Sequence, residues 1–350
     1  MNRISASQNP DRLDEAAKLV EQSVASGQVR SAVIIVRNSE RTLARHYGDA
    51  NIDSSFLLGS ITKPIAIAAM MTLYDKNRAF ELQDRVQKFL PEFKGDGRAQ
   101  VTISHLLTHV SGLPDQLPDN AELRKRHAPL SEFVQGALKV PLGFAAGKKY
   151  SYSSMGILLA CEIAQRISGT SFLELVNTKV IQPLGMTRSA LGMGSPALAG
   201  TMPVQIENAA PEAGGGDPTA KEWDWNSRYW RELGAPWGGA HASASDILKF
   251  LDAFTKPVNG FLTPETAHLM THNWNADTLV PRGLGFAVGP LGICSGCTDN
   301  VYGHTGSTGT LAWSDPVRQL ACIVLTSLPG AAVKPHPREL ASSAFTRGPD

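Results

Sequence analysis

The run Ile65-Ala66-Ile67-Ala68-Ala69-Met70-Met71-Thr72-Leu73 is apolar nearly all round and rich in Ala and Met, a pattern that predicts a helix buried on every side. The rest of the chain must be arranged around it. Phe56-Leu57-Leu58 before it reads as a strand, and Gly59-Ser60-Ile61-Thr62-Lys63-Pro64 joins the two. Ser60 therefore falls at the mouth of the helix, and Lys63, at i+3, lies on the same side with its amine in reach of the Ser60 hydroxyl. Pro64 is tolerated only near a helix start, which fixes the boundary and implies a loosened first turn.

An alcohol attacks a carbonyl poorly unless a base takes its proton, and an amine serves only when desolvation lowers its pKa from ~10.4 toward neutrality. A helix N-terminus adds a backbone N–H and a positive dipole where an oxyanion would form. Ser-x-x-Lys alone carries little weight, because average composition yields it about once in a chain of this length. Taken by itself, Ser60 reads more readily as an N-cap and Lys63 as a solvated first-turn residue.

The 350 residues are 42% hydrophobic and 19% charged, enough for one large domain or two modest ones. A formal charge of +1 without a basic block argues against nucleic acid and anionic membrane surfaces as partners. No apolar run approaches the ~20 residues of a membrane span. Met1 to Gln8 lacks a signal-peptide hydrophobic segment, so the expected location is cytoplasmic unless a leader has been removed.

Helical spacing predicts helices over 11–26, 129–139 and 155–168, the last stopped by Gly169. Residues 31–37 and 41–48 form an expected hairpin, and residues 82–91 a short helix ending in a loop. Strands are expected at Leu284–Val288, Val301–His304, Thr310–Ser314 and Leu320–Thr326. The fold class is thus α+β: an antiparallel sheet formed by both chain ends and flanked by helices, with a mainly helical insertion. The expected division is 1–75 with 238–350 for the sheet part and 76–237 for the helical part.

Thr102 is a candidate N-cap for a helix carrying His105 and His109 at i,i+4. Without the Glu of His-Glu-x-x-His or a third ligand, these read as structural histidines. Cys161 and Cys322 sit in apolar runs as core thiols. Cys294-Ser295-Gly296-Cys297 lacks a second pair for zinc and a βαβ context, leaving a loop with two thiols or a local disulfide. From Leu191 to Gly239 the chain is irregular and crowds five aromatics, Trp223 to Trp237, into fifteen residues. A pocket wall or lid fits that stretch better than a linker.

Two further motifs follow. Tyr150-Ser151-Tyr152-Ser153-Ser154 opens the 155–168 helix, and Tyr302-Gly303-His304-Thr305-Gly306-Ser307 lies on a strand and its turn. Together with Ser-x-x-Lys they resemble the three signatures of the penicillin-recognising serine hydrolases. Thr102 to Pro114, and Trp237-Gly238-Gly239 through Asp246, extend the likeness over about residues 15 to 330. It is nearest the branch of class C β-lactamases, D-alanyl-D-alanine carboxypeptidases and family VIII esterases.

The resemblance implies Ser60 as acylated nucleophile, Lys63 as its proton partner, and Tyr152, rather than Tyr150, as general base or acid, with its phenolate favoured by the Lys63 ammonium. It implies an oxyanion hole from the N–H groups of Ser60 and Ser307, the strand motif His304-Thr305-Gly306 beside the substrate, and Gln116 near a substrate amide. No metal or cofactor is implied. The substrate would be a small ester, amide or β-lactam.

Two departures bear on substrate. Ser154 replaces an Asn that orients Lys and substrate; its hydroxyl can still bond an amine but reaches less far. His304 replaces a Lys, so a fixed cation becomes one expected to titrate near neutral pH. Both favour a neutral ester or amide over efficient β-lactam turnover. The absence of Gly-x-Ser-x-Gly argues against an α/β-hydrolase triad. A module that acylates without turnover, a penicillin-binding sensor, is the expectation of a different class.

Overall fold

The computed structural model describes residues 11–192 and 200–347. The extreme N-terminal segment, and residues 193–199 of the irregular stretch, lie outside the described residues. The helices are α1 (Arg12–Ala25), α2 (Thr62–Asn77), α3 (Ile103–Leu107), α4 (Asn120–Lys125), α5 (Leu130–Lys139), α6 (Ser154–Ser168), α7 (Phe172–Val176), α8 (Arg228–Leu233), α9 (Ala244–Asp252), α10 (Pro264–Thr271) and α11 (Pro337–Thr346). The strands are β1 (Ser31–Arg37), β2 (Thr42–Gly48), β3 (Phe56–Leu57), β4 (Ala190–Leu191), β5 (Ala240–Ala242), β6 (Ala287–Val288), β7 (Tyr302–Gly306), β8 (Thr310–Asp315) and β9 (Leu320–Thr326).

Six strands form one sheet in the order β2-β1-β9-β8-β7-β6, each pair antiparallel. The two chain ends meet where β1 pairs with β9, Ala32 opposite Thr326 and Val36 opposite Cys322. Side chains alternate across the sheet. Ala32, Ile34, Val36, Cys322 and Val324 pack with Leu13 and Val20 of α1 and Phe345 of α11. Val33, Ile35, Ile323 and Leu325 join the larger core around α2 and α6. That larger core runs without a break from the sheet into the helical part, so the two parts share one apolar interior.

The α2 helix occupies the centre, with every residue from Thr62 to Tyr74 buried, as an all-round apolar pattern demands. Its first turn is loosened into a 3-10 turn over Gly59–Ile61. Gly169 stops α6 in the left-handed region at φ 68°, and Thr102 caps α3 in a reciprocal capping box with His105. The four cysteines are free.

Some elements differ from expectation. Only Ala287–Val288 of the 284–288 run pairs as a strand, because Gly283 and Gly285 turn the chain against Met270 and Ile67. The 82–91 helix contracts to a 3-10 turn at Val86–Lys88. The α3 helix ends at Leu107, and His109 lies beyond it at φ 63°, so the two histidines share no helix face. Three short strands make a second sheet, β3-β5-β4, that periodicity over two or three residues cannot announce. The glycines after Trp237 lead first into β5 and only then into α9.

Candidate active site

Ser60, Tyr152 and His304, drawn from three distant stretches of chain, line one cleft of about 670 Å³, and Lys63 lies buried behind Ser60. Lys63 is fully buried, and its Nζ donates to Ser60 Oγ at 3.1 Å and to the Trp237 carbonyl at 2.9 Å. Burial draws its pKa down to about 7; Arg282 pushes in the same direction, and Asp115 opposes both. The amine can therefore lose its proton near neutral pH, which a base requires.

The amine also lies over the Tyr152 ring, 4.7 Å from its centroid, and the Ser60 hydroxyl reaches the Tyr152 phenol. Burial raises the Tyr152 pKa, outweighing the Ser60 hydrogen bond and the Arg282 charge. Here the expectation of a favoured phenolate is corrected, because desolvation of the anion outweighs the Ser60 hydrogen bond and the Arg282 charge and leaves a neutral phenol.

His304 departs from expectation in the same way. Burial holds its pKa well below the ordinary imidazole value, and the Arg282 and Lys63 charges add to the effect. It is a neutral imidazole rather than a cation titrating near pH 7. Its Nδ1 lies 2.6 Å from the Thr305 carbonyl, which only an N–H can satisfy. That leaves Nε2 as an acceptor, 3.4 Å from the Tyr152 hydroxyl. Phenol and imidazole thus share a long hydrogen bond in which the phenol O–H donates.

The turn after β7 is fastened to the loop that carries Ser60. Thr308 Oγ1 donates to the Leu57 carbonyl at 2.6 Å and Thr310 Oγ1 to the Leu58 carbonyl at 2.7 Å. A Cβ on Gly306 would stand 2.1 Å from the Leu58 oxygen, and one on Gly59, at φ 54°, 3.0 Å from Ser307 N. Only glycine at both positions lets the Ser307 N–H come beside Ser60. Arg338, which also lines the cleft, ties the end of β7 to the start of β8 through the Gly306 and Thr310 carbonyls.

Ser154 and Gln116 both line the cleft. Ser154 is not bonded to the amine as the family pattern suggested. Its Oγ donates to Asp115 Oδ1 at 2.6 Å, and its backbone N–H reaches the same oxygen at 3.0 Å, because a short side chain at the α6 N-terminus meets the nearer carboxylate first. Trp225, Trp230 and Trp237 of the irregular aromatic stretch form one wall of the cleft.

Sequence reading missed three contributors. Asp115, directly after Gly112-Leu113-Pro114, could have been found beside Gln116 as a charge in the same loop. Arg282 belongs to no motif; it donates to the Tyr150 hydroxyl at 2.7 Å, and its Nε and Nη1 are buried without a partner among the described residues. The Trp237 carbonyl is backbone and leaves no mark in a side-chain pattern. His109 is structural as expected, but with a purpose in the site. Its ring packs 4.5 Å from that of Tyr152, and its Nδ1 accepts the Ser153 N–H.

Among the described residues no group of three or more His, Cys, Asp and Glu could hold a metal, and no helix is long and apolar enough to cross a membrane. A serine loop buttressed by an inner sheet strand, with a buried lysine beneath it, is the arrangement that the family comparison places among the serine hydrolases. The beta-lactamase family profile matches residues 16–344, and the chain belongs to that family of serine hydrolases. It is 29% identical over 324 residues to esterase EstB of Burkholderia gladioli, covering 81% of this chain and 80% of the relative. It is 24% identical to an Escherichia coli (strain K12) protein provisionally named D-alanyl-D-alanine carboxypeptidase, covering 93% of this chain and 84% of that one. EstCE1, described as a hydrolase with promiscuous acyltransferase activity, superposes with a TM-score of 0.78 at 18% identity, over 96% of this chain and 99% of that one.

Proposed function

We propose that the protein hydrolyses small carboxylic esters through an acyl-enzyme on Ser60. The observation that carries this reading is the fully buried Lys63 amine, brought down to about 7 and hydrogen-bonded to Ser60 Oγ. Ser60 Oγ attacks the carbonyl carbon while Lys63 accepts its proton. The tetrahedral oxyanion forms between the N–H groups of Ser60 and Ser307. Tyr152, a neutral phenol at rest, gives its proton to the leaving alkoxide, and the Lys63 ammonium restores it. Water then enters where the alcohol left, loses a proton to the same pair and releases the acid, with Ser60 regaining its hydrogen.

An ester is favoured because the position of the usual third-motif cation is held by a neutral imidazole, His304. Thr305, Gly306 and Ser307 would flank the acyl group from the strand side, and Ser154 and Gln116 from the opposite side. Esterase EstB supports the choice by kinship. One observation favours a second reading, a β-lactam or D-amino acid peptide: Arg282 lines the cleft, and its guanidinium is a cation with which a substrate carboxylate can pair.

Ser60→Ala should abolish covalent labelling by a fluorophosphonate; undiminished labelling by intact mass would refute the nucleophile. A panel of p-nitrophenyl esters, nitrocefin and D-alanyl peptides separates the readings. A stoichiometric burst without steady-state turnover would instead make the protein an acylating sensor.

A further inference from the structure

We propose that Cys294 and Cys297 form a peroxide-sensitive dithiol, a modification site on the face of the sheet opposite α2, with Cys294 as the sulfur that reacts first and Cys297 as the one that resolves it. The Cys297 N–H donates to the Cys294 carbonyl at 3.0 Å, closing a turn with Ser295-Gly296 at its tip. A turn of this kind keeps its end Cα atoms within about 7 Å, the range a disulfide spans. Gly296 makes the turn fit, since a Cβ there would stand 2.5 Å from Thr346 Oγ1.

The surroundings distinguish the two sulfurs. Ser342 of α11 accepts the Trp313 indole N–H at 2.9 Å, which frees its own O–H to donate to Cys294 Sγ at 3.4 Å. Thr346 Oγ1 lies 3.2 Å from the same sulfur. The Cys297 thiol and these hydroxyls draw the Cys294 thiol below its ordinary range, although burial opposes them. Cys297 is the more exposed of the pair, whereas Cys161 and Cys322 are buried with their thiols raised by burial. A thiolate that is mostly covered admits a small oxidant sooner than a bulky disulfide.

In the first step the Cys294 sulfur attacks one oxygen of hydrogen peroxide, the O–O bond breaks, and hydroxide leaves and takes up the thiol proton as water. In the second, the Cys297 sulfur attacks Cys294, the S–O bond of the sulfenic acid breaks, and its oxygen leaves with the Cys297 proton as a second water. The two thiols supply two electrons and peroxide accepts them.

The test uses the reduced full-length protein, hydrogen peroxide and peptide mass mapping. The tryptic peptide Gly283 to Arg318 should lose about 2 Da, recovered with dithiothreitol, while Cys161 and Cys322 stay free. In Cys297→Ser, dimedone should trap a sulfenic acid at Cys294. In Cys294→Ser, oxidation at Cys297 should be slower by about tenfold or more. Ser342→Ala, checked by circular dichroism, should still form the disulfide but several-fold more slowly. An unreactive pair, dimedone capture on Cys297 rather than Cys294, or oxidation of all four thiols at one rate would overturn the proposal.

Discussion

Lys63 Nζ donates to the carbonyl oxygen of Trp237, 174 residues further along the chain, at 2.9 Å. A backbone carbonyl accepts from the amine in either protonation state and supplies no full negative charge, so it steers the side chain toward Ser60 without restoring the pKa that burial removes. A carboxylate in its place would raise that pKa and leave an ammonium unable to act as base.

That arrangement carries a stability cost. Lys63 falls from 10.5 to about 7 on folding, so between those values the unfolded chain binds more protons, and stability rises with pH. Below pH 7 the whole penalty is present, at ~1.4 kcal/mol per unit. Lys63→Met should therefore abolish turnover yet raise stability by a few kcal/mol at pH 6, with the gain shrinking toward pH 10. Urea unfolding midpoints at pH 6 and 9.5 test this; an equal gain at both values would show that the amine is not depressed.

The pH–rate profile should follow the same amine. kcat/KM is expected to climb as pH rises through about 7, where Lys63 loses its proton. Asp115 raises that pKa and Arg282 lowers it, so Asp115→Asn should move the acid limb to lower pH and Arg282→Gln to higher pH. Profiles that move in the same direction, or stay fixed, would place the titration on another group.

The two tyrosines are distinguished by their partners. Tyr152 meets Ser60, Lys63 and His304, whereas Tyr150 is bonded to Arg282. Tyr152→Phe should cost at least ~100-fold in kcat, the usual scale for a positioned acid or base. Tyr150→Phe should cost less than about tenfold. Reversal of that order in steady-state kinetics would transfer the acid role to Tyr150.

What the sequence made legible is what chain-local rules govern. Ser60 and Lys63 are three residues apart at one helix mouth, and Gly169 and Thr102 mark ends by their own conformational preferences. The pairing of β1 with β9 follows from apolar runs at both ends. The charge states of Tyr152 and His304 were not legible, because residue type gives a reference pKa and only burial decides the shift. Arg282 and the Trp237 carbonyl escaped for a related reason: nothing in their local sequence records what they face across the cleft. Ser154 was placed correctly on its helix, yet its partner was set by Asp115, which the family pattern does not include.

The proposed oxyanion hole offers a test that separates its geometry from the proposed base. Thr310 Oγ1 donates to the buried Leu58 carbonyl, two residues before Ser60. Valine matches threonine in shape but lacks that donor, so Thr310→Val leaves the carbonyl with the longer Ile61 N–H bond at 3.4 Å, at a cost of up to about 1–3 kcal/mol. Without the tie, the Ser307 N–H can drift from the oxyanion position, and loss of one such donor costs about 10²–10³ in kcat. Lys63 and Trp237 are untouched, so the acid limb should remain near pH 7. A fall in kcat of at least tenfold with an unmoved limb is the expected result; a shift of the limb, with kcat retained at its plateau, would show that the threonine acts on the amine rather than on the backbone beside Ser60.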